Sequence, residues 1–302
     1  MITVLSYGAG QDSHTILTKL LTDDSYRAQY APGELIVIMS DTGNEHPHTY
    51  HTVRDAAKFC AQHGVKFHFI GDRYKSASWQ GGLTGQWRKG IATVGSKAYP
   101  KTCTDKLKIQ PIYKKLAELL EARGYGAALR KRSMYGYTEQ HGKIRVLIGI
   151  AGGEEGRAKG VSNNPNKWLR ENVELVYPLL DEDMDRAACQ TYLASMESIT
   201  GIATPMPSNC MYCPFNQEFD LVWLQRNHPE KLAEWQDLEA NKIASDHQRP
   251  NHDAAKNFGV WGKAGITLAD NLDAGLEKYG HMSDAELHEY KFSHGHCVVS
   301  GY

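Results

Sequence analysis

A chain of 302 residues, 41% hydrophobic and 23% charged with a formal net charge of -1, has enough apolar character for one large or two modest globular domains, which excludes a disordered chain. No run of about 18 apolar residues is present to span a bilayer, and a chain that opens directly on a strand pattern leaves no room for a signal peptide, so a cytoplasmic protein is expected. The near-neutral balance gives no global attraction to nucleic acid or acidic membrane, although a local basic patch is compatible with it. Six cysteines without a secretion signal point to metal chemistry, catalysis or packing rather than a disulfide framework.

The apolar run Ile2-Thr3-Val4-Leu5 reads as a strand, Ser6-Tyr7-Gly8-Ala9-Gly10-Gln11-Asp12-Ser13 as a glycine-bearing turn, and Ile16, Leu17, Leu20 and Leu21 as the apolar face of a helix. Such a sequence aims backbone N–H groups and the positive end of the helix dipole at one point, where a phosphate can sit. It is not a Walker loop, because Asp12-Ser13 stands where Gly-Lys-Ser/Thr is required, and Gly-x-Gly-x-x-Gly fails at Ser13. Taken alone, the turn also suits an ordinary helix start, since Asp and Ser are good N-cap residues.

The run Gly33 to Met39 reads as a second buried strand, ending in the polar tip Ser40-Asp41-Thr42-Gly43. A helix with Val53, Ala56, Ala57, Phe59 and Cys60 follows, then the strand Val65 to Ile70. Strand and helix alternate, which predicts a doubly wound, mainly parallel α/β sheet with ligands at the carboxyl ends of its strands. From Gly71 to Thr104 no period is sustained, and the stretch reads as a lid over the site. Cys103-Thr104-Asp105-Lys106-Leu107-Lys108-Ile109-Gln110-Pro111 leads into a helix with Ile112, Leu116, Leu119 and Leu120; its lysines suit an anion or a solvated helix start equally. Gly124 to Arg132 reads as a turn and basic stretch, and Lys143 to Ile150 as a strand emptying into Ala151-Gly152-Gly153-Glu154-Glu155-Gly156-Arg157. An Asn-rich loop over 158–172, a short strand over 173–180 and an amphipathic helix over 181–198 complete the first domain, predicted as residues 1–200. A linker-like stretch over 203–209 opens a mostly helical, cysteine-bearing subdomain, residues 201–302.

Cys210-Met211-Tyr212-Cys213 is a knuckle that turns two thiolates the same way, as zinc, an iron-sulfur cluster or a redox dithiol requires. Its partners would be solitary, Cys103 and Cys297, the latter within His294-Gly295-His296-Cys297. A set of Cys103, Cys210, Cys213 and Cys297 suits tetrahedral Zn²⁺ or a 4Fe-4S cluster, and the adjacent histidines keep a mixed Cys/His zinc site open. Cys60 and Cys189 fall in amphipathic helices and read as packing residues.

Taken together, the strand tips resemble the phosphoadenosine-phosphosulfate (PAPS) reductase family of PP-loop, adenine nucleotide alpha-hydrolase-like proteins, with its cluster-bearing bacterial and phage branch and the DNA-phosphorothioation ATPase. Gly8 to Ser13 resembles the family's Ser-Gly-Gly-x-Asp-Ser loop, with Gly8-Ala9 in place of Ser-Gly, and Asp41-Thr42-Gly43-Asn44-Glu45 its Asp-Thr-Gly-x-Glu tip. Residues 103–111 resemble its Cys-Thr-x-x-Leu-Lys-Ile-x-Pro segment, Gly149 to Arg157 its Gly-Ile-Arg-x-x-Glu-x-x-Arg stretch, and 210–215 its Cys-x-x-Cys-Pro-Phe element. The resemblance implies ATP or a sulfonucleotide held by Ser6, Tyr7, Gly8, Ala9, Gly10, Gln11, Asp12 and Ser13, by Asp41, Thr42, Gly43 and Glu45, and by Gly149 and Glu154. It implies Mg²⁺ on the phosphates, iron-sulfur rather than zinc on the cysteines, and a catalytic set of Asp12, Ser13, Lys106, Lys108 and Arg157. Two of the family's anion contacts are missing: Gln11 stands at a frequent lysine, Ala151 at an arginine. The reductases' C-terminal Glu-Cys-Gly-x-His segment is also missing.

Three functions compete on this reading. In ATP pyrophosphatase-type adenylation, a substrate oxygen attacks the α-phosphorus and the adenylated substrate is displaced by sulfur or nitrogen, in sulfur transfer or nucleic-acid modification. Its expected partners are a sulfur donor protein and a nucleic-acid substrate, with no membrane. Sulfonucleotide reduction needs a nucleophilic thiol, which a four-cysteine ligand set with two packed cysteines does not leave. A non-catalytic nucleotide-binding module could instead dock through Phe219, Trp223, Leu224, Leu232 and Trp235. Adenylation is the preferred expectation; the final acceptor, the sulfur donor and the oligomeric state are not written in the chain.

Overall fold

Among the residues described in the computed structural model, 1–90, 95–99, 102–158, 160–263 and 265–295, five strands form one all-parallel sheet of order β3-β2-β1-β4-β5. The strands are β1 (Ile2–Ser6), β2 (Glu34–Ser40), β3 (Lys66–Ile70), β4 (Ile144–Ile148) and β5 (Val173–Val176). Successive side chains of a strand point to opposite faces, and helices cover both faces here, so the central strands carry apolar residues on both faces. Val4, Ile36, Ile38 and Val146 enter one core with Ile112, Leu116 and Leu120. Leu5, Leu35, Val37 and Met39 enter the other, with Ile16, Leu17, Leu20, Cys60 and Cys189.

The helices are α1 (Gln11–Thr22), α2 (Asp24–Tyr30), α3 (Pro47–Gln62), α4 (Gly82–Arg88), α5 (Gln110–Glu121), α6 (Arg132–His141), α7 (Lys167–Asn172), α8 (Pro178–Asp181), α9 (Arg186–Thr200), α10 (Glu218–Asn227), α11 (Pro229–His247), α12 (Leu268–Tyr279) and α13 (Asp284–His294). Several starts are written locally. Pro47, Pro111 and Pro229 supply the fixed φ favoured in a first turn, and Thr267 with Asp270 and Ser283 with Glu286 form capping boxes on α12 and α13. The expected helix over 181–198 is divided: α8 stops, Asp183 turns through φ 52°, and α9 restarts behind an Asp185 cap.

A third core joins segments far apart in sequence. Trp79, Leu83, Trp87 and Leu107 pack with Met211, Tyr212, Trp223, Trp235 and Leu272. The stretch 71–104 is therefore not the irregular lid expected from its sequence. In its described part it makes short helical turns and α4; Leu83 and Trp87 are buried on α4, Trp87 lies edge-on to Trp235 of α11, and Trp79 enters the same core from the turn before α4. The 158–172 loop contains α7, and the linker-like 203–209 is partly buried, with Pro205, Pro207 and Asn209 inside.

Candidate active site

The chain winds outward from β1 through β2 to β3, then returns to place β4 on the other side of β1. This reversal is where open parallel sheets bind ligands, and a cleft lies there. Its walls come from the β1–α1 turn (Ser6, Tyr7, Gly8, Gly10, Gln11, Asp12, Ser13), the tips of β2 (Met39, Ser40) and β4 (Ile148, Gly149), and the start of α5 (Ile112). Lys108 and Arg157 face it, as do four residues that no motif marked: Arg186, Pro207, Ser208 and Gly295.

The turn is built for close approach. Gly8 N–H donates to Ser13 Oγ at 3.1 Å, and Gly10 caps α1 with no side-chain hydrogen bond, so no side chain covers the first-turn N–H groups. A Cβ on Gly10 would stand 2.6 Å from Ser208 Oγ, and one on Gly149 2.7 Å from the Ser13 nitrogen. Ala9, in place of the family's glycine, holds a left-handed φ of 56° and points into the second core. Below the turn, Tyr7 OH and His14 Nδ1 are 2.7 Å apart, and burial lowers the His14 pKa to about 4.

Charge converges on the turn from three elements. Arg186 Nη2 lies 3.5 Å from Asp12 Oδ2 and 3.4 Å from Glu154 Oε1, and Arg157 pairs with the other oxygen of Glu154. Burial pushes the Asp12 carboxyl above its ordinary range; Arg186 opposes this and Glu154 adds to it. Glu154 thus stands behind the arginines rather than on the cleft wall.

The two lysines separate. Residues two apart on a helix do not share a face, and the π-helical turn Asp105–Ile109 directs Lys108 to the cleft, whereas Lys106 pairs with Asp105 at 3.1 Å, outside the cleft wall. The β2 tip forms a neighbouring cluster. Asp41 Oδ1 accepts from Gly43 N–H and Tyr50 OH. Thr42 Oγ1 donates to Glu45 Oε1 at 3.0 Å, and the Cys210 thiol donates to Thr42 Oγ1 at 3.3 Å. Glu45 is buried, with Lys108 Nζ 3.6 Å from Oε1 and no hydrogen-bond partner for Oε2 among the described residues. Asp41, Thr42, Gly43 and Glu45 therefore reach the cleft only through Lys108 and the backbone.

Cys210 pairs with Glu45 through an isolated antiparallel bridge. Burial, with the nearby Glu45 carboxylate, pushes its thiol well above the ordinary range, the reverse of what a nucleophilic thiolate requires. Cys213 is buried, Cys103 packs at the margin of the third core, and Cys297 lies outside the described residues. Among the described residues no three His, Cys, Asp or Glu side chains are arranged to hold a metal ion. The fourth cysteine of the expected set, Cys297, lies outside the described residues, and the other three do not by themselves form such a group.

Gln11 is committed elsewhere: its Nε2 donates to the Phe292 carbonyl at 3.3 Å, and its Oε1 accepts from Gln190. Gln190 also donates to Phe292, so the end of α13 is tied to the turn and brings Gly295 to the cleft. A sequence signal for Arg186 existed only in its place after the β5 tip; Ser208 and Gly295 carried none.

No described helix is long and apolar enough to cross a membrane. No protein-family model matches the chain, and no curated protein matches it. Among solved structures it is similar to the U34-tRNA thiolase NcsA from Methanococcus maripaludis with its [4Fe-4S] cluster, at 17% identity and a TM-score of 0.39 over 90% of this chain and 80% of that one.

Proposed function

We propose that the chain is an adenine-nucleotide enzyme of the PP-loop type that adenylates its substrate, in sulfur transfer or nucleic-acid modification. The observation that carries this reading is the cleft at the sheet's reversal point, where a glycine-bearing turn and helix start meet Lys108, Arg157 and Arg186. Backbone N–H groups and fixed cations stabilise the charge that gathers on a phosphorus under attack, without reorganising as the reaction proceeds. A substrate oxygen forms its bond to the α-phosphorus as the bond to pyrophosphate breaks. Ser13 Oγ and the α1 start orient the phosphates, while Lys108 and the arginines balance the charge of the leaving pyrophosphate. Mg²⁺ on the nucleotide would neutralise phosphate charge. Asp12 is the carboxylate on the cleft wall that fits it, since Mg²⁺ sites commonly use one or two carboxylates and the phosphates themselves.

Sulfonucleotide reduction needs a nucleophilic thiol, and burial with the nearby Glu45 carboxylate, which raises the Cys210 pKa, disfavours Cys210 in that role. A binding module without turnover is separated by product analysis. With ATP, Mg²⁺ and an RNA or DNA pool, adenylation gives pyrophosphate and the adenylated nucleic acid, from which an added sulfur or nitrogen nucleophile releases AMP, and Ser13→Ala lowers the rate of pyrophosphate release at least ~10²-fold while the protein stays folded. ADP and phosphate, or a rate unchanged in Ser13→Ala, would refute the proposal; sulfite from a sulfonucleotide would restore the reductase.

A further inference from the structure

The resemblance leaves the cleft short of two cations, those that would stand at Gln11 and Ala151. Gln11 does not make up the loss, since its amide is engaged with Phe292 and Gln190. The tertiary structure brings a cation from a helix outside every motif. Arg186 is the first residue of α9, and its backbone is fixed from both sides. Asp185 Oδ1 caps the helix by accepting from Ala188 N–H at 2.7 Å, and Gly152 N–H, on the β4 tip, donates to the Met184 carbonyl at 2.7 Å.

The side chain is less firmly held than the backbone. Its contacts with Asp12 and Glu154, at 3.5 and 3.4 Å, exceed the roughly 2.7–2.9 Å of a strong charge-assisted hydrogen bond. Arg157, by contrast, grips Glu154 closely. Asp12 remains proton-loving despite its neighbour, so the pair does not offset the burial of the carboxylate. A guanidinium anchored at its base, facing the cleft and loosely shared by two carboxylates can turn to an incoming anion at little cost.

We infer that Arg186 is a phosphate-recognition residue of this cleft, replacing from α9 the charge absent at positions 11 and 151, and that its ligand is the phosphate chain of the nucleotide. The inference rests on the adenine-nucleotide reading above. Its planar fork matches two phosphate oxygens at once, which a lysine point charge cannot do.

The test compares ATP and adenosine binding, with Mg²⁺, to the full-length wild type, Arg186→Gln and Arg186→Lys, each checked for folding by circular dichroism. Arg186→Gln is expected to weaken ATP roughly 10- to 100-fold, as loss of a charged hydrogen bond does, and to leave adenosine within about twofold; Arg186→Lys recovers part of the loss. Unchanged ATP affinity in Arg186→Gln, or equal losses for ATP and adenosine in Arg186→Lys as well, would overturn the inference while leaving the nucleotide reading intact. A wild type that binds ATP no better than adenosine would remove that reading, and the inference with it.

Discussion

Individual side chains in the cleft trade stability for position. His14 is held neutral by burial, with its pKa lowered to about 4 from an ordinary 6.5. A depressed folded-state pKa means stability present above pH 6.5 and lost as the pH falls toward 4, about 3 kcal/mol for this group. His14→Gln, which keeps a partner for Tyr7 OH, should flatten the stability–pH slope in that interval by close to one proton, measured by urea denaturation at several pH values. An unaltered slope would assign the acid sensitivity to His46 and His48, which are also held neutral by burial, against Trp223. At this scale Ser13, Asp12, Lys108 and Arg157, each singled out by a motif, all line the cleft. The sequence could not separate Lys106 from Lys108, because which face of a turn meets a cleft depends on what packs behind that turn.

Elements meet at two tight places. The β4 tip approaches α1 so closely that a Cβ on Gly149 would stand 2.7 Å from the Ser13 nitrogen. Gly149→Ala should therefore cost about 1–3 kcal/mol, a typical overpacking penalty, and weaken nucleotide binding more than stability, which calorimetry and a thermal melt together would reveal. The second place is the ion pair of Lys291 on α13 with Asp220 on α10, 2.6 Å apart with side chains 0% and 3% exposed, and Lys291 Nζ 4.9 Å from the Trp223 ring. Removing one partner strands a buried charge, so Lys291→Met should cost about 3–5 kcal/mol. The double variant Lys291→Met/Asp220→Leu should recover much of that loss in the same denaturation assay; no recovery would mean that Asp220's cap on α10 is its main contribution. Capping boxes fix the starts of these two helices locally, but they do not specify the helices' partners. Helix α4, with Leu83 and Trp87 buried, was not visible as a helix, since Gly82 and Gly85 lower local helix propensity and packing on α11 offsets that deficit.

The whole molecule couples the cleft to its C-terminal end. Gln11 and Gln190 hold the Phe292 carbonyl, and Gly295 lines the cleft, so a ligand that orders the β1–α1 turn also orders α13. Saturating ATP should raise the melting temperature, by about 2.7 kcal/mol of stabilisation at 100 times Kd. It should also slow amide exchange in α13 along with residues 8–14; protection confined to the turn would show that the two are energetically separate. The sequence by itself determined the parallel α/β architecture, because both-face burial requires continuous apolar strands and crossover connections require helices between them. It also determined the small-residue turn between β1 and α1, because strand, small residues and helix start are contiguous. Only the tertiary structure decided that Arg186, Ser208 and Gly295 stand at that turn, that Gln11 serves α13, and that Trp79, Leu83, Trp87 and Leu107 share a core with Met211, Tyr212, Trp235 and Leu272. These contacts join residues a hundred or more positions apart, and side-chain periodicity carries no record of which buried face meets which.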